Sequence, residues 1–406
     1  MRAHYMPATH TASLPTLKVR HGEDRRLAAG HLWIFSNEVD VAATPLTAFE
    51  PGELVRVMND RDRFMGYAYV NPRSLIAARI LSRDERVMPD RDLIVKRLKS
   101  ALALRHRLSE EPYYRLVFGE SDQLPGLVID RYGDVLVVEI GTAGMERMKD
   151  DILAALRKVI EPAAVLFKND GSSRELEGLP NYVETAFGTV PDLVPVRENG
   201  LTFEASLAGG QKTGWYYDQA HNRRAFIRYV GGARVLDVCC YLGAWGIAAA
   251  KHGAAEATCV DSSASALEGA QRNATANDVK ISTIKGDAFD VLGDLHARHA
   301  EFDIVVLDPP AFIKRRKDIP KGEAAYRKLN QMWMQLLARD GLLVSSSCSY
   351  HMPADDLLGA IARAGRNLNR HVAMLEAGGQ APDHPVHPAI PETRYLKTFF
   401  CRVVRE

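Results

Sequence analysis

From about Gly200 onward, short apolar runs alternate with stretches whose apolar residues recur at helical spacing. Strands are expected at Arg234–Val238, Ala257–Asp261, Ile281–Lys285, Ile304–Leu307, Leu342–Ser346 and Leu396–Val404, with helices at Ala264–Asn277 and Glu323–Leu337 among those between them. Such alternation predicts parallel strands joined by crossover helices, a doubly wound α/β sheet. The beginning of the chain reads differently. Leu54–Met58 alternates after Pro51-Gly52, Phe64–Val70 follows a polar turn, and Ile76–Leu81 comes next. Short strands with turns at this spacing predict a small β-barrel or half-barrel. Between the two blocks lie a helix at Leu93–Leu108, a hairpin of Leu127–Asp130 and Val135–Ile140 about Gly133-Asp134, a helix at Glu146–Ile160 and a strand near Val165–Phe167. This middle block shows no chemistry and reads as a spacer or platform. The expected division is a tail over 1–14, a β-barrel domain over 15–90, an α+β domain over 91–197 and the α/β domain over 198–406.

Composition narrows the class. At 406 residues, 46% hydrophobic and 25% charged, the chain has the make-up of a soluble multidomain protein. No apolar run approaches the roughly 18 residues a membrane span needs, so no membrane partner is expected. Met1 to Leu14 has no apolar h-region of the secretory kind. The five cysteines include no Cys-x-x-Cys pair, which argues against a disulfide framework and a thiolate metal site. A cytoplasmic setting and no bound metal are expected. The net charge of +1 does not announce a nucleic-acid partner, so such a partner would have to be met by local basic patches.

Ligands of doubly wound sheets bind beyond the carboxyl ends of the strands, and carboxylates collect there. Asp237 lies near the end of the first strand, before the turn Cys239-Cys240-Tyr241-Leu242-Gly243. It could hold a ligand's ammonium group, directly or through water, and Gly243 would let backbone approach closely. Asp261 ends the second strand, where a carboxylate can accept from both hydroxyls of a ribose. Asp287 and Phe289 follow the third strand and suit an adenine amino group and ring. Any one of these aspartates alone would more often be a helix N-cap; three in successive strands point to a nucleoside. The spacing lacks the Gly-x-Gly-x-x-Gly that cradles a pyrophosphate, which favours S-adenosyl-L-methionine over a nicotinamide dinucleotide.

Asp308-Pro309-Pro310-Ala311-Phe312, Ser347-Cys348-Ser349, the segment Gln211 to Gln219, Asp383-His384-Pro385 and Arg394 to Lys397 together resemble the PUA-containing 23S ribosomal RNA cytosine-C5 methyltransferases. Gly30 to Phe35 is similar to that family's PUA domain, and Asp122 to Asp130 to its central domain. The resemblance spans nearly the whole chain. It implies a Rossmann-like class I methyltransferase sheet with an N-terminal PUA-like barrel and a central α+β domain. It also implies 23S ribosomal RNA as partner, free or in an assembling large subunit, and is compatible with a homodimer. The segment Gln211 to Asp218 with Arg223 would enclose cofactor and target base, which places Tyr217 and Arg223 at the cofactor, with Tyr241 of the turn after the first strand also expected there. One departure stands out. Ala311 occupies a place where relatives often carry lysine.

Cytosine C5 is not nucleophilic until a thiolate adds to C6, and a cysteine suits that task. Cys348, just past a strand end, is the expected nucleophile, against the plainer reading of a small buried residue. Asp308 would hydrogen-bond N3 or N4 of the base, with Pro309 and Pro310 fixing its backbone. Cys239, Cys240 and Cys401 are expected to pack. Lys314, Arg315, Arg316 and Lys317 follow directly and would bind RNA phosphates, though charge runs are often plain surface. Three rivals remain open: methylation of a base amino group or ring nitrogen without a covalent adduct, a nicotinamide-dependent oxidoreductase, and an RNA-binding protein without catalysis. In amino-group enzymes an aromatic residue directly follows the second proline; here Ala311 stands there and Phe312 comes one later.

Overall fold

The computed structural model describes residues 14–405, so the expected tail lies, save for Leu14, outside the described residues. The N-terminal sheet contains β1 (Thr16–Lys18), β2 (Trp33–Ile34), β3 (Glu53–Met58), β4 (Phe64–Val70) and β5 (Ala78–Ser82), in the order β1-β3-β4-β5-β2. Alternate residues of β3 (Val55 and Val57) turn inward onto Leu17, Ala68, Val70 and Ile80. The period of two seen in the sequence thus becomes a one-sided core.

The middle block is a second five-stranded sheet: β6 (Tyr113–Phe118), β7 (Leu127–Tyr132), β8 (Val135–Ile140), β9 (Ala164–Asn169) and β10 (Tyr182–Phe187), in the order β10-β9-β8-β7-β6. β7 and β8 form the expected hairpin, with Tyr132 opposite Val135 and Gly133 in the left-handed region at φ 64°. β6 and β10 went unread because Tyr-Tyr-Arg-Leu-Val-Phe does not alternate cleanly and β10 is a largely exposed edge. Helix Arg91–Leu108 runs alongside, its N-cap Asp90 accepting the Leu93 N–H at 2.9 Å. A two-stranded ribbon, β11 (Val194–Glu198) with β12 (Leu201–Ala205), leads out of this block.

The C-terminal sheet has seven strands: β13 (Arg234–Val238), β14 (Glu256–Asp261), β15 (Ser282–Lys285), β16 (Phe302–Leu307), β17 (Leu337–Ser347), β18 (Arg370–Gly379) and β19 (Lys397–Arg405). Their order is β15-β14-β13-β16-β17-β19-β18. Five strands are parallel as expected, but β19 runs antiparallel to both β17 and β18. β18 was not expected at all. It is a bulged edge strand whose Met374 and Leu375 are exposed, so neither alternation nor a continuous apolar run marks it. The inner strands are covered on both faces. Leu236, Val305 and Leu343 meet the helices Ile319–Met334 and Ala354–Asn367, whereas Val235, Ile304 and Val344 meet Phe226 and Trp245. Pro320 sits in the first turn of helix Ile319–Met334, where its missing N–H costs nothing. Strand order reverses between β13 and β16, which opens a crevice at their carboxyl ends.

Candidate active site

A cavity of about 390 Å³ fills that crevice. Of the residues expected at a site, Cys348, Asp308, Pro309, Pro310, Tyr241, Asp261, Asp287, Phe289 and Arg223 line it. The loop after β13 forms one wall. Cys239 and Tyr241 are both left-handed, at φ 63° and 49°, a conformation held by tethers to the next strand. The Cys240 N–H donates to the Val260 carbonyl at 3.0 Å, and the Tyr241 N–H to Asp261 Oδ2 at 2.9 Å. Asp261 Oδ1 also accepts the Ser263 N–H at 2.9 Å. Asp287 caps helix Ala288–Ala297 by accepting the Phe289 N–H at 2.8 Å. Asp287 thus caps a helix and lines the cavity at once.

Two expectations are corrected and a third, for Asp237, is narrowed to an indirect contact. Tyr217 does not reach the cavity: its ring packs 5.4 Å from Tyr132 and its hydroxyl donates to the Arg131 carbonyl at 2.9 Å. Gly243 faces protein. At φ 79° it caps helix Ala244–Lys251, and a Cβ there would lie 2.9 Å from that of Ala270. Asp237 lies behind the wall, fully buried, with Oδ2 accepting the Gly246 N–H at 3.0 Å and Oδ1 without a partner among the described residues. Burial pushes its carboxyl up to about 7. Arg223 lines the cavity, but its guanidinium is committed to Glu198, at 2.5 and 2.7 Å, and to the Tyr216 carbonyl. It braces the wall instead of offering a free charge.

Asp308, just past β16, accepts Gln219 Nε2 at 2.9 Å and Trp245 Nε1 at 3.2 Å. Burial and the nearby Asp218 raise its carboxyl above the ordinary range. Cys348 follows β17 and is partly buried. Burial raises its thiol, the positive charge of Lys212 opposes that rise, and Asp308 and Asp218 add to it. Its turn is held on both sides: Ser347 and Ser349 share hydrogen bonds with the Tyr326 hydroxyl, and Ser349 Oγ accepts the Ile313 N–H at 3.1 Å. The Cys348 turn and the loop after Pro310 are thereby locked together. Lys397 Nζ donates to the Ser349 and Tyr395 carbonyls at 2.6 and 2.9 Å. Burial lowers its ammonium to about 8. Lys314 to Lys317 are exposed on the loop leaving the cavity. Phe312 lines the cavity while packing on Tyr326 at 4.8 Å between ring centroids.

Sequence reasoning did not foresee how much the middle sheet contributes. Asp130 on β7 is fully buried, accepts from Arg115 at 2.7 and 2.8 Å, and takes the hydroxyl of Thr213. Tyr132 donates to the Thr213 carbonyl at 3.1 Å, and Lys168 on β9 to the Leu207 carbonyl at 2.9 Å. These anchors fix the loop carrying Gln211, Lys212, Trp215 and Tyr216 on the cavity wall. Trp245 and Gln219 were also missed. A lone tryptophan in a helix pattern reads as core, and only the fold brings it to Asp308.

The family model for the S-adenosylmethionine-dependent methyltransferase matches residues 182–396. The chain belongs to that family. A PUA-like domain model matches residues 17–83. The methyltransferase match starts within β10, upstream of the boundary expected at 198. The chain is 35% identical over 389 residues to ribosomal RNA large subunit methyltransferase I of Photobacterium profundum, covering 94% of this chain and 98% of that one. The protein of the same name from Shewanella frigidimarina is 35% identical over 396 residues, covering 95% and 99%. A SAM-dependent methyltransferase structure from Streptococcus mutans superposes with a TM-score of 0.81 at 22% identity, over 96% of this chain and 100% of that one. A methyltransferase complexed with SAH (S-adenosylhomocysteine) gives 0.83 at 23%, with the same coverage. The methyltransferase's own residues suit S-adenosylmethionine. Carboxylates Asp261 and Asp287 line the cavity, and Asp237 keeps an unpartnered oxygen beneath it. Gly243 and Gly246 face Ala270 and Cys259, so no open glycine cradle for a pyrophosphate exists in this turn. Among the described residues, no helix is long and apolar enough to cross a membrane.

Proposed function

We propose that the protein methylates C5 of a cytosine in 23S ribosomal RNA, in the cytoplasm, through a covalent bond between Cys348 and C6. The observation that carries this reading is one cavity lined by Cys348, Asp308 and the carboxylates that suit a nucleoside cofactor. The name of the curated relatives supports the large-subunit RNA as substrate, and the PUA-like domain supports RNA binding. S-adenosylmethionine supplies the methyl group as an electrophile when bound, held by Asp261 at the ribose and by Asp287 and Phe289 at the adenine.

In this mechanism the Cys348 thiolate adds to C6 and the C5=C6 electron pair shifts toward N3. Asp308, whose carboxyl holds its proton more readily than an ordinary aspartate, donates that proton to N3. C5 is then enamine-like and takes the methyl group. A base then removes the C5 proton, the C5=C6 double bond re-forms as Cys348 leaves as thiolate, and N3 returns its proton to Asp308. Lys212 favours the thiolate electrostatically. Lys314 to Lys317 would grip phosphates flanking the extruded base.

The test has two steps. Mass mapping of 23S rRNA from the native host with and without the gene locates the product. RNA bearing 5-fluorocytosine at that position should then trap a denaturation-resistant adduct, because fluorine cannot leave as a proton. Cys348→Ala should lose adduct and methyl transfer while still binding SAH. Full activity in Cys348→Ala would eliminate the mechanism and promote amino-group transfer.

A further inference from the structure

The mechanism leaves one carboxylate of the cavity without a task. Asp218 lines the cavity beside Tyr216 and is only 4% exposed. Its Oδ2 accepts the Tyr395 hydroxyl at 2.5 Å, and its carbonyl accepts the Ala381 N–H at 2.9 Å, so the residue is fixed from both ends. Its Oδ1 is buried with no hydrogen-bond partner among the described residues. A buried carboxylate oxygen without a donor is costly, and in a cavity wall a water, an ion or a bound ligand can complete it.

The surroundings keep Asp218 charged. Lys212, His384 and Arg115 hold its carboxyl below the ordinary value despite burial. None of these three groups is a direct hydrogen-bond partner: Arg115 is paired with Asp130, His384 Nδ1 lies 2.8 Å from Asp383, and Lys212 lies over the Tyr216 ring. Asp308 differs on both counts, having a donor on each oxygen and a raised carboxyl. The cavity therefore offers two unlike carboxylates close enough to Cys348 for both to bear on its thiol. One suits proton donation, the other acceptance.

We propose that Asp218 is the specificity-determining residue for the base, its free oxygen accepting a hydrogen bond from the 4-amino group of cytosine while Asp308 faces N3. This inference rests on the cytosine-C5 reading above. A uracil in the same pose would place its O4 lone pairs against a buried carboxylate, with no proton between them. Asparagine at 218 could instead turn an N–H toward O4.

The experiment uses the full-length enzyme and 23S rRNA transcripts carrying either cytosine or uracil at the mapped position, with single-turnover methylation measured on each. Asp218→Asn should slow the cytosine reaction by about 10–100-fold, the equivalent of one charge-assisted hydrogen bond, and speed the uracil reaction. The cytosine-to-uracil rate ratio should therefore collapse, while SAH binding stays unchanged. A mutant that keeps the wild-type ratio, whatever its absolute rate, overturns the role of Asp218. If Asp218→Asn fails to bind SAH and so has not folded, Tyr395→Phe decides, since it frees Asp218 from its anchor. A narrowed ratio supports the proposal and an unchanged one overturns it. Failure of the parent reading looks different: wild-type enzyme would then form no 5-methylcytidine on the cytosine transcript, and Asp218 would lose its role with it.

Discussion

Asp130 joins the middle sheet to the loop on the cavity wall, and its replacement by asparagine tests whether that joint matters. The carboxylate is fully buried and accepts two hydrogen bonds from Arg115 and one from Thr213. Asparagine keeps the shape but removes the charge, and its amide nitrogen must face donors. Arg115, whose side chain is only 12% exposed, would be left as a buried cation without its counter-ion. Breaking one side of such a pair costs about 3–5 kcal/mol. Thr213→Val removes a single hydroxyl with little change in shape and should cost about 1–3 kcal/mol. The two changes share one partner, so the double mutant should fall short of their sum. Denaturant unfolding reads the stabilities, and calorimetry with SAH reads the site. Because Thr213 sits between Lys212 and Trp215 on the cavity wall, Thr213→Val should weaken SAH binding as well as stability. Should Asp130→Asn unfold within about 1 kcal/mol of the parent, the buried pair would not be what secures the loop.

Two further expectations follow from charge. Replacing Lys314, Arg315, Arg316 and Lys317 by serine should lower RNA affinity and flatten its salt dependence by about 0.7–0.9 log unit for each phosphate no longer neutralised; an identical salt slope would return the run to plain surface. Asp237, at about 7 in the folded state against 3.8 unfolded, binds its proton more tightly when folded, so its contribution to stability falls as pH rises from about 4 to 7 and stays low above that. The loss is up to about 4 kcal/mol, and thermal unfolding of Asp237→Asn across pH 5 to 8 should show a shallower decline than the parent; parallel curves would mean the carboxyl titrates normally.

How much of this was legible in the sequence depends on where each signal lives. Strands buried on both faces announce themselves as nearly continuous apolar runs, so β13 and β16 could be placed from residue pattern alone. β18 could not, because an edge strand answers to one neighbour and tolerates Met374 and Leu375 in solvent. The site divides in the same way. Asp261, Asp308 and Cys348 sit where a strand gives out, and that position is visible in one dimension. Asp237 also sits near a strand end, but whether an end residue faces the cavity or the layer beneath depends on the turn that follows. Here left-handed Cys239 and Tyr241 carry the chain over Asp237.

What escaped sequence reasoning is what the fold assembles from distant parts. Trp245 and Gln219 meet on Asp308 from two helices and a strand end, with sequence separations of 63 and 89 residues. Asp130 and Thr213 are 83 residues apart and belong to different parts of the fold. A β-hairpin with an aspartate in it is unremarkable as sequence; it becomes part of the site only because β7 lies under the loop that precedes β13. The middle sheet thus serves the chemistry without contributing a reacting atom. It spends buried charge, in Arg115 and Asp130, on holding Thr213 and its neighbours still. A flipped base must be met by groups already in place, because ordering them on binding would cost affinity and rate alike.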